Sequence, residues 1–385
     1  MAEHICVVAD ESVFAGHYKC GMGEVSDGLV AELRHYYRVT FITPGGKEIS
    51  PIVRPGSTVR LDCSDESFES MAAKICNNLQ PALILNLGAD PALISMLAVT
   101  CPCLLLFDAW EMAADKTEYF KDYRAVLTVS KNYAAMLKAE HQVLSEIPFG
   151  GITNGIDYHF WKPGRVKRDK RNVVKYMGGD GKEMLIVMAC RLIACKGIGE
   201  VIDAVDTVTE VGAKLIVFGT GEDRYETALR QLAGEGKLTY IEQMADYFTI
   251  HDLLGAGDFF LSPSTAEACG LMPMKAANAG CIPIVRPIGG LVDNFDERNS
   301  VQITGSLSDA IREAAEIYAD AGHRRTMQEA GIACDFSWAT RAKSWVELFS
   351  SLGVVAEERK SIAYETEPVK YTPKPCPFTK KGAST

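Results

Sequence analysis

Short apolar runs alternate with segments of helical periodicity along most of this chain. Apolar runs without a helical period predict buried strands, and repeated β-α alternation predicts a parallel sheet with helices on both faces. In the first half, the predicted strands are residues 4–8, 39–43, 58–61, 82–87, 103–107 and 126–129. The predicted helices between them are residues 24–33, 68–79, 91–99 and 132–139.

The alternation stops at residues 158–173, where a Trp-Lys-Pro-Gly sequence and a charged run interrupt it, and then begins again. The second set of predicted strands is 185–189, 214–218, 238–241, 259–261, 282–285 and 301–304. The second set of predicted helices is 199–209, 223–232, 247–254, 271–279, 307–320, 324–330 and 338–352.

Two rounds of alternation predict an α/β protein with two doubly wound, Rossmann-like domains that face each other across a cleft. The first domain spans residues 1–157 and the second spans residues 158–340. Residues 341–385 are predicted to be a C-terminal helix and tail, and the helix is a candidate to cross back to the first domain. Between two such domains, the cleft is the expected ligand site.

Composition restricts the class of protein. The 385 residues are 47% hydrophobic, which suffices for two domains, and the net charge of −10 argues against a nucleic-acid surface. No run approaches the ~18 apolar residues of a membrane span, and the N-terminus lacks the pattern of a signal peptide. The 12 cysteines and 7 histidines show no zinc spacing, so we expect a metal-free protein of the reducing cytoplasm.

Residues 258–290 combine a strand, an acidic loop, a helix, a second strand and a glycine turn. Ligands of open α/β sheets bind at the carboxyl ends of strands, where helix N-termini and their amides favour an anion. Glu267 lies at such a place, together with the amides of Gly270 and Leu271. This carboxylate is either a helix-capping acid or a ligand contact, and its position alone leaves both interpretations open.

Positive side chains accompany this acidic loop at other predicted strand ends. Lys19 precedes a glycine pair that begins with Gly21, which suits a phosphate but also a flexible loop. Arg191 ends a strand and Lys196 precedes the next helix, an arrangement that fits a diphosphate or ordinary surface charges. The combination with Glu267 favours a ligand site.

Five segments occur in the order that is typical of one enzyme family. They are the lysine-glycine loop at 19–25, the Thr-Asn-Gly-Ile-Asp sequence at 153–157, and residues 190–197, 218–221 and 258–290. Together they resemble the starch/glycogen synthase family of retaining glycosyltransferases, which has the GT-B fold. The resemblance is dense from roughly residue 126 to residue 295 and sparse before it.

The resemblance implies a role for each charged residue. Lys19 and Gly21 would face the phosphates of a nucleotide-diphosphate sugar. Arg191 and Lys196 would neutralise the diphosphate leaving group, where negative charge develops. Glu267 would contact the transferred sugar and stabilise its oxocarbenium-like transition state.

The resemblance also implies contacts to the neutral parts of the donor. Cys269, Gly270 and Leu271 would line the sugar and phosphate through their backbone amides. Tyr247 or Phe248 would stack on the nucleobase. Asp108 stands where the family carries a His-Asn pair that reads the sugar, so the identity of the sugar stays open.

The expected function is transfer of a hexose, glucose in the first instance, from ADP- or UDP-glucose to a glucan, without a metal or cofactor. One alternative keeps this chemistry but uses a small-molecule, lipid-linked or protein acceptor. Another is a non-catalytic protein that binds a sugar nucleotide or a glucan. The expected partners are a nucleotide sugar and a carbohydrate acceptor, without nucleic acid or a membrane span, and the oligomeric state stays open.

Overall fold

The computed structural model describes residues 2–12, 21–45, 56–64, 66–108, 110–163, 173–175, 179–243 and 247–357. These residues form two α/β units, each built on a parallel sheet. One unit contains Met1–Asp157 and the segment that begins at Phe336, and the other contains Tyr158–Asp335. The predicted α/β class with two Rossmann-like domains is confirmed.

The described part of the first unit has a seven-stranded sheet with the order β3-β2-β1-β4-β5-β6-β7. Every neighbouring pair is parallel, and β1, β4 and β5 are buried along their whole length. The strands are β1 (His4–Ala9), β2 (Arg38–Pro44), β3 (Thr58–Leu61), β4 (Leu83–Leu87), β5 (Cys103–Phe107), β6 (Ala125–Thr128) and β7 (Phe149–Gly151). The helices are α1 (Met22–Leu33), α2 (Phe68–Leu79), α3 (Trp110–Ala113) and α4 (Lys131–Glu140), with 3₁₀ segments at Pro91–Met96, Ala114–Asp122 and Gln142–Ser145.

One helix and one strand are among the elements of the first unit that differ from the prediction. The segment predicted as a helix at 91–99 is a 3₁₀ turn, Pro91–Met96, because the Asn77 side chain accepts the Ala98 N–H at 2.7 Å and the chain leaves the helical path. Strand β7 was not predicted because Phe-Gly-Gly carries little strand propensity. Its Gly151 is required by close packing, since a β-carbon there would lie 1.9 Å from the Ser130 carbonyl oxygen.

The described part of the second unit has a six-stranded parallel sheet with the order β10-β9-β8-β11-β12-β13. The strands are β8 (Leu185–Ala189), β9 (Lys214–Phe218), β10 (Thr239–Ile241), β11 (Phe259–Ser262), β12 (Ile282–Val285) and β13 (Val301–Gln302). The helices are α5 (Tyr158–Trp161), α6 (Ile198–Glu210), α7 (Asp223–Gly234), α8 (Tyr247–Ala256), α9 (Leu271–Ala279), α10 (Leu307–Ala319) and α11 (Ala321–Ala333). Apolar side chains of β8, β9, β11 and β12 pack with those of α6 and α10 in one core.

The last described helix, α12 (Trp338–Ser351), packs on α1 in the first unit. Trp345 and Phe349 of α12 are fully buried, and the Phe349 ring lies 5.5 Å from the Tyr37 ring. Gly28 of α1 lies directly under the indole of Trp338. This segment is therefore part of the first unit's core.

Candidate active site

The loop that follows β8 lies directly against the chain that leaves β11. It contains a 3₁₀ turn, Ala194–Lys196, and then Gly197 with a left-handed φ of 72° at the start of α6. A β-carbon on Gly197 would lie 2.4 Å from the carbonyl oxygen of Pro263. The neighbouring positions of β8 and β11 in the sheet therefore bring these two loops together.

The loop that follows β11 is held from both sides. The Thr265 N–H donates to the Cys195 carbonyl oxygen at 2.8 Å, which joins this loop to the β8 loop. On its other side, the Gly290 N–H donates to the Glu267 carbonyl oxygen at 2.9 Å. Gly270, with a φ of 87°, then turns the chain into α9. The backbone of Glu267 is thus fixed by two neighbouring strand ends.

Lys196 and Glu267 form an ion pair between these loops. Lys196 Nζ donates to Glu267 Oε2 at 2.7 Å, and the two side chains are 21% and 16% exposed. Burial works to lower the pKa of Lys196, but the charge of Glu267 and its hydrogen bond outweigh it, so the pKa is raised. Lys196 is therefore held as a cation at neutral pH.

This contact decides between the two interpretations of Glu267. Helix α9 begins at Leu271, its N-cap is Gly270, and its first turn is Leu-Met-Pro-Met. Glu267 lies before this cap and its carboxylate contacts Lys196 instead. The helix-capping interpretation of Glu267 is therefore wrong, and its role as a ligand contact stays a prediction.

Arg191 supplies a second cation on the same loop. Its side chain is exposed, and its guanidinium has no ion-pair or hydrogen-bond partner among the residues that the structure describes. The described part of this site therefore has one paired and one unpaired cation beside one carboxylate. Such a set can bind a polyanion and still keep a carboxylate beside its neutral portion.

Comparison with known proteins identifies the domain that carries these loops. The model of the family "Glycosyl transferases group 1" matches residues 170–333. Residues 170–333 are therefore similar to the group 1 glycosyltransferases. In sequence the chain is similar to the glycogen synthase of Acidiphilium cryptum, with 32% identity over 235 residues, covering 52% of this chain and 49% of that protein. The glycogen synthase of Rhodospirillum rubrum is 30% identical over 266 residues, covering 60% and 55%.

The chain therefore spans about half the length of the curated relatives it matches. Its fold is similar to that of the catalytic domain of starch synthase IV from Arabidopsis thaliana, with a TM-score of 0.76 at 18% identity. That match covers 91% of this chain and 99% of the other. Sucrose-phosphate synthase from Thermosynechococcus elongatus gives a TM-score of 0.73 at 16% identity, with coverage of 91% and 99%. The chain is glycogen/starch synthase-like and has the GT-B fold.

The matched region also contains the three residues whose backbone amides are predicted to line the donor. Cys269 and Gly270 are buried, and Leu271 is half-buried in the first turn of α9. The first amides of a helix have no partner within it, so they suit a phosphate. These residues follow Glu267 in the same loop, and their roles stay predictions.

The other predicted site residues lie in the first unit or have side chains that the structure does not describe. Gly21 precedes α1 and Asp108 follows β5, both in the first unit. Lys19 lies outside the described residues. Tyr247 and Phe248 begin α8, but their side chains also lie outside the description. The roles of these five residues stay predictions.

Sequence reasoning missed an ion pair in the second unit. Arg286 follows β12, and its Nη2 donates to Oε2 of Glu200, in the first turn of α6, at 2.6 Å. The Nε of Arg286 is buried without a hydrogen-bond partner in the described part of the chain. The position of Arg286 at a strand's carboxyl end, like that of Arg191, was the signal that could have found it.

The glycine turn at 219–221 supports the same loops by packing. A β-carbon on Gly219 would lie 2.1 Å from the Cys190 carbonyl oxygen, and one on Gly221 would lie 2.3 Å from that of Leu192. The Leu192 N–H also donates to the Thr220 carbonyl oxygen at 2.9 Å. The glycine turn therefore positions the Arg191 loop by packing against its backbone.

Among the described residues, no group of three or more His, Cys, Asp or Glu side chains is arranged to hold a metal ion. Within the same residues, no helix combines the length and apolar character needed to cross a membrane.

Proposed function

We propose that this chain is a retaining glycosyltransferase that moves glucose from ADP-glucose or UDP-glucose to a glucan. The observation that carries the proposal is the 2.7 Å contact between Lys196 Nζ and Glu267 Oε2 inside the group 1 glycosyltransferase domain. It places a cation and a carboxylate together at the carboxyl ends of β8 and β11, where α/β sheets bind ligands.

The cations serve the leaving group in this proposal. As the bond between the sugar and the diphosphate breaks, negative charge builds up on the diphosphate oxygen. Lys196 and Arg191, on one loop, supply positive charge for that oxygen, and preorganised charge of this kind stabilises a transition state more than a ground state. The raised pKa of Lys196 keeps its ammonium charged through this step.

The carboxylate serves the sugar. When the leaving group departs, the anomeric carbon and ring oxygen of the sugar share positive charge. Glu267 stabilises that charge, and the hydrogen bond to its carbonyl oxygen keeps its backbone from moving. The acceptor hydroxyl oxygen then bonds to the anomeric carbon, and its proton passes to the departing diphosphate oxygen.

The relatives support a glucosyl donor and a glucan acceptor. The sequence relatives are named glycogen synthases, and the starch synthase IV structure is described as bound to ADP and acarbose. Another protein of the same fold, HepE from Anabaena, is described in complex with UDP and glucose. Because one of these structures is described with ADP and the other with UDP, experiment must decide which nucleobase the donor of this protein carries.

The test is transfer from ADP-glucose and from UDP-glucose to a maltooligosaccharide, with product masses and released diphosphate measured together. We expect transfer by the wild type and its loss in Glu267→Gln. Glu242→Gln is the matched control, because Glu242 pairs with exposed Arg230 in the same domain. If the wild type and Glu267→Gln bind the donor equally and neither of them turns it over, the protein is a non-catalytic binding protein.

The same assay separates the acceptor classes. Glucan, small-molecule, lipid-linked and protein acceptors are offered with the better donor, and the expected product is a glucan lengthened by one hexose. Transfer to one of the other acceptors, with none to glucan, would keep the chemistry and overturn the glucan assignment.

A further inference from the structure

The ion pair between Arg286 and Glu200 joins two elements of the second unit that are not neighbours in the sheet. Glu200 lies in the first turn of α6, the helix that follows β8, and Arg286 directly follows β12. Strand β11 lies between β8 and β12. Since neighbouring strands are about 4.8 Å apart, only long side chains can join these two elements. The contact of 2.6 Å between Arg286 Nη2 and Glu200 Oε2 therefore spans the position of β11.

On one side, this pair is connected to Lys196 through a single turn of helix. Glu200 follows Lys196 by four residues, and Gly197 between them is the N-cap of α6. The Val201 N–H donates to the Gly197 carbonyl oxygen at 3.2 Å and closes this turn. A displacement of Glu200 is therefore passed to Lys196 through a short, hydrogen-bonded segment.

On the other side, the pair is connected to Glu267 through the glycine turn after β12. The Ile288 N–H donates to the Arg286 carbonyl oxygen at 2.8 Å, which tightens the chain between Arg286 and this turn. The Gly290 N–H then donates to the Glu267 carbonyl oxygen at 2.9 Å. The position of Arg286 is therefore tied to the backbone of Glu267.

An ordinary surface ion pair is the alternative interpretation of this contact. The side chains of Arg286 and Glu200 are 24% and 40% exposed, and pairs near the surface contribute little to stability. The Nε of Arg286 is buried without a hydrogen-bond partner among the described residues, which is unfavourable for folding. Stability therefore explains this arginine poorly, whereas its position between the two site loops gives it a use.

We propose, on the basis of the function proposed above, that Arg286 is a positioning residue for glycosyl transfer. Through its contact with Glu200, it holds the loops that carry Lys196 and Glu267 at a fixed separation. In this role, its guanidinium touches neither the sugar nor the diphosphate of the donor.

The Lys196–Glu267 contact is weakened during the reaction, which is when the second ion pair is needed. Once Lys196 binds the diphosphate, its ammonium divides its hydrogen bonds between the donor and Glu267. The Arg286–Glu200 contact involves no group that binds the donor, so it still joins the two loops. Because a misplacement of about 1 Å can lower a rate by roughly 10²-fold, loss of this contact should slow the chemical step.

The test is steady-state transfer to a maltooligosaccharide by Arg286→Met, with each rate divided by the folded fraction from urea unfolding. We expect kcat to fall by about tenfold or more with little change in the donor KM, because the groups that bind the donor are retained. A purely structural role would lower the folded fraction and leave the corrected kcat unchanged. Arg286→Lys should restore most of kcat, since Nη2 alone makes the contact with Glu200 and one donor is enough.

Glu200→Ala removes the same contact from its more exposed side, so the pair is tested even if Arg286→Met does not fold. The double variant should lose no more kcat than the more impaired single variant, because the two side chains act as one contact. Arg312→Met is the matched control and should keep the wild-type kcat. Arg312 pairs with Glu210 at 3.4 Å, at the other end of α6.

The outcomes separate the positioning role from the proposed function. Transfer by the wild type with an equal kcat in folded Arg286→Met would overturn the positioning role and leave the proposed function in place. Additive losses in the double variant would also overturn it, since they show that Arg286 and Glu200 act independently. A wild type that transfers sugar to none of the acceptors would overturn the proposed function and the positioning role with it.

Discussion

Gly289 lies so close to Glu267 that a β-carbon on Gly289 would come within 2.1 Å of the Glu267 carbonyl oxygen. Gly289 also has a φ of 51°, in the left-handed region that favours glycine. The next residue, Gly290, donates its N–H to the same oxygen. The glycine turn after β12 therefore sets the position of the carboxylate that pairs with Lys196.

Substitution Gly289→Ala should lower kcat by about tenfold or more, because a small displacement of a catalytic group is costly. Steady-state transfer assays measure this effect. Gly199→Ala is the matched control, since a β-carbon there meets no atom within 4 Å in the second unit. Equal kcat values for the two variants would contradict a positioning role for the glycine turn.

Lys196→Ala should lower kcat by roughly 10²-fold or more, because it removes a preorganised charge for the leaving group. The control is Lys237→Ala, which removes a partly exposed lysine that pairs with Asp206 at 2.9 Å in the same unit. Both variants are compared by initial rates at saturating donor. Wild-type kinetics in Lys196→Ala would remove Lys196 from the site.

Gly28→Ala should destabilise the first unit by about 1–3 kcal/mol through overpacking between α1 and α12. A β-carbon on Gly28 would lie 2.0 Å from Nε1 of Trp338, which is buried. Gly150→Ala places its β-carbon 4.0 Å from the nearest atom, Cδ2 of Leu127, and serves as the control. Urea unfolding should show a lower midpoint for Gly28→Ala alone, and coincident curves would refute the contact.

His4 should make the first unit less stable in mild acid. Burial, and then the charge of Arg38, lower the pKa of this histidine from 6.5 to about 4. Between these values the unfolded chain binds more protons than the folded chain. Stability from this group is therefore complete above about pH 6.5 and decreases by up to about 3 kcal/mol as the pH falls towards 4.

The variant His4→Gln tests this pH dependence, since glutamine does not titrate and can still bond to Thr40, which contacts His4 Nε2 at 2.8 Å. Thermal unfolding is followed from pH 7 to pH 4.5, and the variant should show a shallower decrease than the wild type. His35→Gln, which removes an exposed histidine of the same unit, should keep the wild-type slope. Parallel curves for wild type and His4→Gln would rule out a buried neutral His4.

Local sequence predicted the elements that are bounded by strong signals. The prediction for β8, β9, α9 and β12 agrees with the structure at both ends, because apolar runs or small-residue helices there meet glycine, proline or charged residues. The 3₁₀ turn Pro91–Met96 was predicted as a longer helix. The prediction missed where the turn ends, because the hydrogen bond from Ala98 to Asn77 joins residues that are 21 positions apart. No local pattern contains that bond.

The sequence by itself determined the two rounds of β-α alternation and the kinds of residue at the strand ends, because apolar periodicity and turn chemistry act over a few neighbouring residues. Only the tertiary structure decided that Glu267 pairs with Lys196 and does not cap α9. These residues are 71 positions apart, and their contact depends on β8 and β11 being neighbours in the sheet. Strand order is a property of the whole folded domain, so the charge pair exists only once the sheet has formed.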